Sequence, residues 1–181
     1  MKKYTQKEFD NFEIINGYKQ CPTGDYRDIK YFGELCSFGQ RCSFDEWCSF
    51  GEGCSFGEWC SFGQWCSFGE GCSFGEGCSF GEWCRFGEGC SFSERCSFGE
   101  GCLIEEDKKL ITSYIMAFNG FGSLNRCTYV FPTDKGLYFR CGCFAENEKE
   151  FKEKIKNTYD KTNKHYKEYM AIIKLAKINV M

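Results

Sequence analysis

The sequence predicts a mainly β protein, built as a solenoid of short strands with a small cap at each end. Three observations carry that expectation. From Phe32 to Phe98 a Phe recurs every six residues, twelve times. From Cys36 to Cys102 a Cys recurs at the same period, also twelve times. The unit reads Cys-Ser-Phe-Gly-Glu-x, as in Cys54-Ser55-Phe56-Gly57-Glu58-Trp59, so one Gly punctuates each hexad. So short a period belongs to stacked coils. A helix would smear Phe around its cylinder, and a Gly in every sixth place would weaken it.

The N-terminal cap spans residues 1–31. Thr5-Gln6-Lys7-Glu8 is a capping-box signature and predicts a short helix over about residues 5–11. Residues 12–20 read as a hairpin around Asn16-Gly17. The solenoid spans 32–104. Strand alternation places Cys and Phe inside and Ser and x outside. The opposite register would expose twelve Phe and bury Ser. Gly-Glu then forms the corner, with Gly read as the residue of left-handed backbone; Asp45 and Ser93 take its place twice. The C-terminal α+β cap spans 105–181. Strands are expected over 112–118, 126–131 and 136–144, with a turn at Asp134-Lys135-Gly136. Amphipathic helices are expected over 148–157 and about 164–177, with Phe151 and Ile155 on one face and Tyr166, Met170 and Ile173 on the other's.

Read from Phe, the unit Phe-Gly-Glu-x-Cys-Ser resembles the hexapeptide repeat [LIV]-G-x-x-[STAV]-x of left-handed parallel β-helices. The resemblance implies a left-handed solenoid in which three hexads make one triangular coil of 18 residues. The twelve hexads then give about four coils. Phe in place of Ile, Leu or Val is the departure, with the small Cys making room. The Lys-Glu-Phe opening, Cys21-Pro22-Thr23-Gly24-Asp25-Tyr26, the array and Gly142-Cys143-Phe144 together resemble uncharacterised hexapeptide-repeat proteins of bacteriophages and prophages. That likeness implies a mobile-element origin and no established activity.

An 18-residue coil turns x into three columns: Trp47, Trp65, Trp83, Gly101; Leu35, Gly53, Gly71, Gly89; and Arg41, Trp59, Gly77, Arg95. A Trp47, Trp65 and Trp83 ladder is an exposed apolar patch, to be covered by the C-terminal helices, by a second copy or by an external partner. The corners make acidic columns, of which Glu34, Glu52, Glu70 and Glu88 is all Glu. Residues 32–104 hold eleven acidic groups against Arg41, Arg85 and Arg95, a net −8 within a chain of net −3. Four coils at about 4.8 Å span roughly 19 Å, over which duplex DNA carries roughly 11 charges. The columns read as solvated corners, as a nucleic-acid mimic or as cation sites.

Function is narrowed mainly by exclusion. The near-neutral total argues against a basic nucleic-acid or membrane-surface binder. No apolar run approaches a membrane span, and the opening residues hold no signal segment, so a cytoplasmic protein with mostly reduced thiols is expected. Hexapeptide acyltransferases use a catalytic His and γ-type carbonic anhydrases a zinc-binding His triad. The one His here, His165, lies outside the repeats, so neither activity carries over. Cys spaced CxxxxxC is not a zinc or redox pattern. Cys141 and Cys143 fall on one strand face with Cys127 opposite, and are expected to pack. No catalytic residue, metal or cofactor is assigned. The expectation is a non-enzymatic phage-type inhibitor of a host nucleic-acid enzyme with a basic groove. Its contacts are Trp47, Trp59, Trp65 and Trp83 with Glu34, Glu52, Glu70 and Glu88; no direct nucleic-acid binding is expected. The alternative is a structural module that self-associates as a homo-oligomer.

Overall fold

Three parallel sheets wind through residues 18–104, each taking one short strand per coil, for about five turns. The computed structural model describes residues 1–105, 107–122, 126–142 and 144–180. The first sheet runs Tyr18–Cys21, Cys36–Phe38, Ser55–Phe56, Ser73–Phe74, Ser91–Phe92. The second runs Ser43–Phe44, Ser61–Phe62, Ser79–Phe80, Ser97–Phe98. The third runs Tyr31–Phe32, Ser49–Phe50, Ser67–Phe68, Arg85–Phe86, Leu103–Ile104. Array partners lie 18 residues apart, as in Ser55↔Ser73 and Phe62↔Phe80, which fixes three hexads per coil.

The core follows from the register. Every Phe and Cys of the array is buried. Within a coil the rings meet edge to face: Phe50 and Phe56 at 5.0 Å and 90°, Phe56 and Phe62 at 4.9 Å and 88°. Between coils each ring stacks on its counterpart, as Phe56 on Phe74 at 5.0 Å and 2°. The stacking distance is close to the strand spacing of a sheet, so backbone and ring columns share one repeat.

The thiols have a task beyond filling. Cys54, Cys72 and Cys90 point Sγ at the carbonyls of Gly33, Gly51 and Gly69, 21 residues earlier, at 3.3–3.4 Å. The other two sides repeat this from Cys60 to Gly39 and from Cys66 to Asp45. A weak S–H donor thus meets a corner carbonyl where an aliphatic side chain would leave it dry. The neighbouring thiol in the column and burial both hold Cys60, Cys72 and Cys84 above the ordinary thiol range. All thirteen Cys from Cys21 to Cys102 are buried and free.

The corner corrects one expectation. The left-handed residue is x, not the Gly after Phe. Leu35, Trp47, Trp59 and Arg95 have φ of 52°, 62°, 59° and 61°, and Gly53, Gly71 and Gly89 match them. The Gly after Phe is required by proximity instead. A Cβ on Gly69 would stand 2.8 Å from Glu52 N and from Gly51 C, one coil back.

The N-terminal segment supplies a further coil, which is why there are about five turns instead of four. The helix Gln6–Asp10 and its Thr5–Glu8 capping box are present, and the hairpin of Ile14–Ile15 with Tyr18–Cys21 turns at Asn16-Gly17. The second hairpin strand then pairs in parallel with Cys36–Phe38, setting Cys21 opposite Phe38. Asp25 bridges Ser43, and Tyr26 stacks on Phe44 at 5.5 Å. Cys21, Tyr26 and Phe32 therefore occupy the three Phe positions, at spacings of five and six residues. Tyr4 stacks on Tyr26 and Phe9 meets Phe32 edge-on, closing the ring columns. At the other end the chain reverses and Lys108–Lys109 pairs antiparallel with Leu103–Ile104.

The solenoid unit is Met1–Tyr114; Ile115–Met181 forms a second compact unit. Its sheet is antiparallel in the order Met116–Phe118, Thr128–Thr133, Gly136–Cys141, Phe144–Asn147. The expected single strand over 136–144 is two strands, because the chain turns at Gly142 (φ 63°) and Cys141 pairs with Phe144. Cys141 ends its strand at this turn, and Cys143, expected on the same strand face, lies outside the described residues. The helix Glu148–Thr158 is capped by Asn147, and a second helix spans Lys164–Val180. Val130, Phe139, Phe151, Ile155, Tyr169 and Ile173 form the core. The buried stripe of the second helix is Tyr169, Ile172, Ile173 and Ala176, with Tyr166 and Met170 only flanking it. No described helix is long and apolar enough to cross a membrane.

Three substitutions check this fold. Phe68→Ala is expected to cost about 3–5 kcal/mol in urea denaturation, as for other aromatic core truncations. Gly71→Ala meets nothing within 4 Å but sits at φ 65°, so about 1–2 kcal/mol is expected. Gly69→Ala, whose Cβ strikes fixed backbone, is expected to cost more, about 2–3 kcal/mol. The reverse order would overturn the assignment of roles at the corner.

Candidate interaction face

Each x residue enters left-handed backbone, and Leu35 and the four Trp turn their side chains along the solenoid over the x residue of the next coil, whereas Arg95 reaches back to Glu76. Leu35 lies over Gly53, where a Cβ would come within 2.8 Å of Leu35 Cδ2. Trp59 covers Gly77 and Trp83 covers Gly101 so closely that a Cβ at either Gly would meet the indole at about 2.5 Å. Where Trp follows Trp the indoles stack: Trp47 on Trp65 at 5.2 Å and 4°, Trp65 on Trp83 at 5.5 Å and 12°. Lys109 Nζ lies 4.9 Å above the Trp83 ring and adds a cation–π contact. The ladder stays open at its edges, with Trp47 59% and Trp83 36% exposed. Trp59 is also exposed but stands in a different column, apart from the ladder.

Glu34, Glu52, Glu70 and Glu88 are all exposed, and none takes part in an ion pair among the described residues. Of the other columns, one is partly neutralised by Arg95 on Glu76 at 2.9 Å, while Lys30 pairs with Asp45, in the position of the Gly after Phe, at 3.1 Å. The structure unites two features that the sequence leaves separate. The third sheet begins at the Trp ladder and ends at the pure Glu column: Trp47-Cys48-Ser49-Phe50-Gly51-Glu52 crosses it once per coil. Five residue steps at about 3.3 Å put the two columns roughly 16 Å apart along one face. Between them stand Ser49, Ser67 and Arg85.

His165 Nδ1 lies 3.0 Å from Glu168 Oε2, and that carboxylate accepts the Gly122 N–H at 2.9 Å. Burial raises the Cys127 thiol above its ordinary value. No group of three or more metal-ligating side chains occurs among the described residues. No family model, curated protein or solved structure matches the chain.

The ladder has a spectroscopic signature. Indoles stacked nearly parallel at 5.2 Å weaken each other's absorption, so the folded protein is expected to show hypochromism of its far-ultraviolet indole band relative to the unfolded chain. Trp65→Phe, at the ladder's centre, is expected to remove most of it, and Trp59→Phe to leave it unchanged. Equal effects would mean that the indoles do not stack in solution.

Proposed function

We propose that this chain is a non-enzymatic binding protein of the phage or prophage type. On this reading it inhibits a host nucleic-acid enzyme by presenting the third face of its solenoid. The observation that carries the reading is the pairing, on one face, of an open Trp ladder with an unneutralised Glu column. Stacked indoles give a rigid apolar anchor of the kind that dominates interface energetics. A row of carboxylates at the coil spacing of about 4.8 Å offers a nucleic-acid-binding groove a regular line of negative charge, at about a third of the linear charge density of a duplex. The partner's basic groove would take the Glu column, and an apolar strip beside it the Trp edges. Such electrostatic pairing mainly raises the association rate.

The experiment is affinity capture from host extract, followed by association kinetics with the captured protein. Changing Glu34, Glu52, Glu70 and Glu88 to Gln preserves size and polarity and removes four charges. The association rate is expected to fall several-fold and its salt dependence to flatten. Changing Trp47, Trp65 and Trp83 to Ser is expected to leave the fold intact and to speed dissociation by about 30-fold or more. A partner bound equally well by both variants would sink the reading. If capture returns only further copies of this chain, the self-associating module takes its place.

A further inference from the structure

The C-terminal unit contains an open cavity of about 190 Å³ lined by its sheet and both helices. It has room for roughly six waters at about 30 Å³ each, and is smaller than drug-sized pockets of about 300 Å³ and upward. Its guest must therefore be small. The wall is apolar where Phe144, Phe151 and Ile155 face it. A polar pair, Cys141 Sγ and Tyr169 Oη at 3.6 Å, contributes another part of the lining.

Two cations, Arg126 and Lys154, complete the lining. Among the described residues neither lies within ion-pair distance of a carboxylate. On these helices Lys152, Lys156, Lys164 and Lys177 pair with glutamates, whereas Lys149, Lys167 and Lys174, like Lys154, have no ion pair among the described residues. Arg126 is exposed and lies against the turn at Gly142. One of its guanidinium nitrogens stands 2.7 Å from where a Cβ on Gly142 would be, so a bare backbone at that turn lets the side chain lie across it. Lys154 Nζ lies 5.9 Å over the Phe144 ring. Thr128, directly cross-strand from Cys141, has a buried hydroxyl with no hydrogen-bond partner. Residues 115–181 carry twelve Lys and Arg against seven Asp and Glu, a net +5 opposite in sign to the solenoid.

We propose that this cavity binds a small organic anion, its apolar body against Phe144, Phe151 and Ile155 and its carboxylate or phosphate on Arg126 and Lys154. The planar guanidinium suits either group through paired hydrogen bonds, and the ammonium adds a point charge. The site lies wholly within the second unit, so it stands independently of the solenoid face.

The full-length protein is titrated with phenylacetate, phenyl phosphate and neutral phenylacetamide, followed by amide NMR shifts. At least one anion is expected to saturate, shifting residues 151–159, with phenylacetamide at least tenfold weaker. The preferred anion identifies the headgroup. Arg126→Gln with Lys154→Gln alters surface residues only. It is expected to weaken anion binding by roughly tenfold or more, the scale of one charged hydrogen bond, and to leave phenylacetamide unchanged. Three results would overturn the proposal: no saturable binding of either anion, equal affinity for the amide, or anion binding indifferent to the double substitution.

Discussion

In every coil three phenylalanine rings stand edge to face, and each lies flat on its counterpart one coil away. Both geometries are favourable for aromatic quadrupoles, at about 0.5–1.5 kcal/mol per pair beyond burial. An aliphatic residue could fill the same volume but would not fix ring orientation. The arrangement also sets the tolerance of everything around it. Rings stacked about 5 Å apart demand coils at the sheet spacing. At that spacing a Cβ would crowd backbone one coil back at nine of the ten Gly that follow Phe, which favours Gly there although Asp45 and Ser93 also occupy the position. Three perpendicular rings leave space for only a small side chain between them, and Cys fills it while donating to the corner carbonyl.

The closure of each corner then falls to x, which must turn left-handed. For a residue with a side chain that backbone costs about 1–2 kcal/mol. Gly avoids the penalty and stands at x five times; Leu, Arg and Trp accept it seven times. Part of the cost is returned locally, because Leu35 and the Trp side chains pack onto the next coil and Arg95 pairs with Glu76 one coil back. Trp47, Trp65 and Trp83 recover more by stacking, yet their edges remain in water. Strain held at exposed aromatic residues is the kind of outlier from which a functional hypothesis properly starts.

The solenoid was legible because its period is strict, and the misreadings occur where that period breaks or fails to discriminate. Two glycine-bearing positions occur in each hexad, and only one is left-handed. The signal lay in the substitutions: Asp45 and Ser93 replace the Gly after Phe, while x is Gly five times. The first coil was hidden because Cys21 and Tyr26 occupy Phe positions at a spacing of five. In the second unit the helices were readable from apolar spacing. The buried stripe of Lys164–Val180 was offset because Tyr166 and Met170 lie at its margin. The turn at Gly142 carries little sequence signal, because Gly136 to Phe144 reads as one strand-favouring segment broken only by Arg140 and Gly142 itself. The cavity near Arg126 had no sequence signal at all, since its lining comes from two strands, two helices and a loop.

A core that repeats one residue at one position leaves the protein few independent surface choices. Phe, Gly and Cys are committed by packing, so individuality is confined to x, Ser and the corner carboxylate. The three-fold coil sorts those choices into columns, and each column is read on one face only. A change at a single x residue therefore acts on a neighbour 18 residues away before it acts on the coil that contains it, as Trp59 does on Gly77 and Trp83 on Gly101. Placing three Trp at 18-residue intervals, and four Glu likewise, builds two parallel strips on one sheet without disturbing the interior. The same economy explains why charge can be segregated so far, −8 on the repeats against +5 on residues 115–181. Carboxylates at corners face water, where high dielectric keeps their mutual repulsion small, while the neutral ring columns hold the coils together.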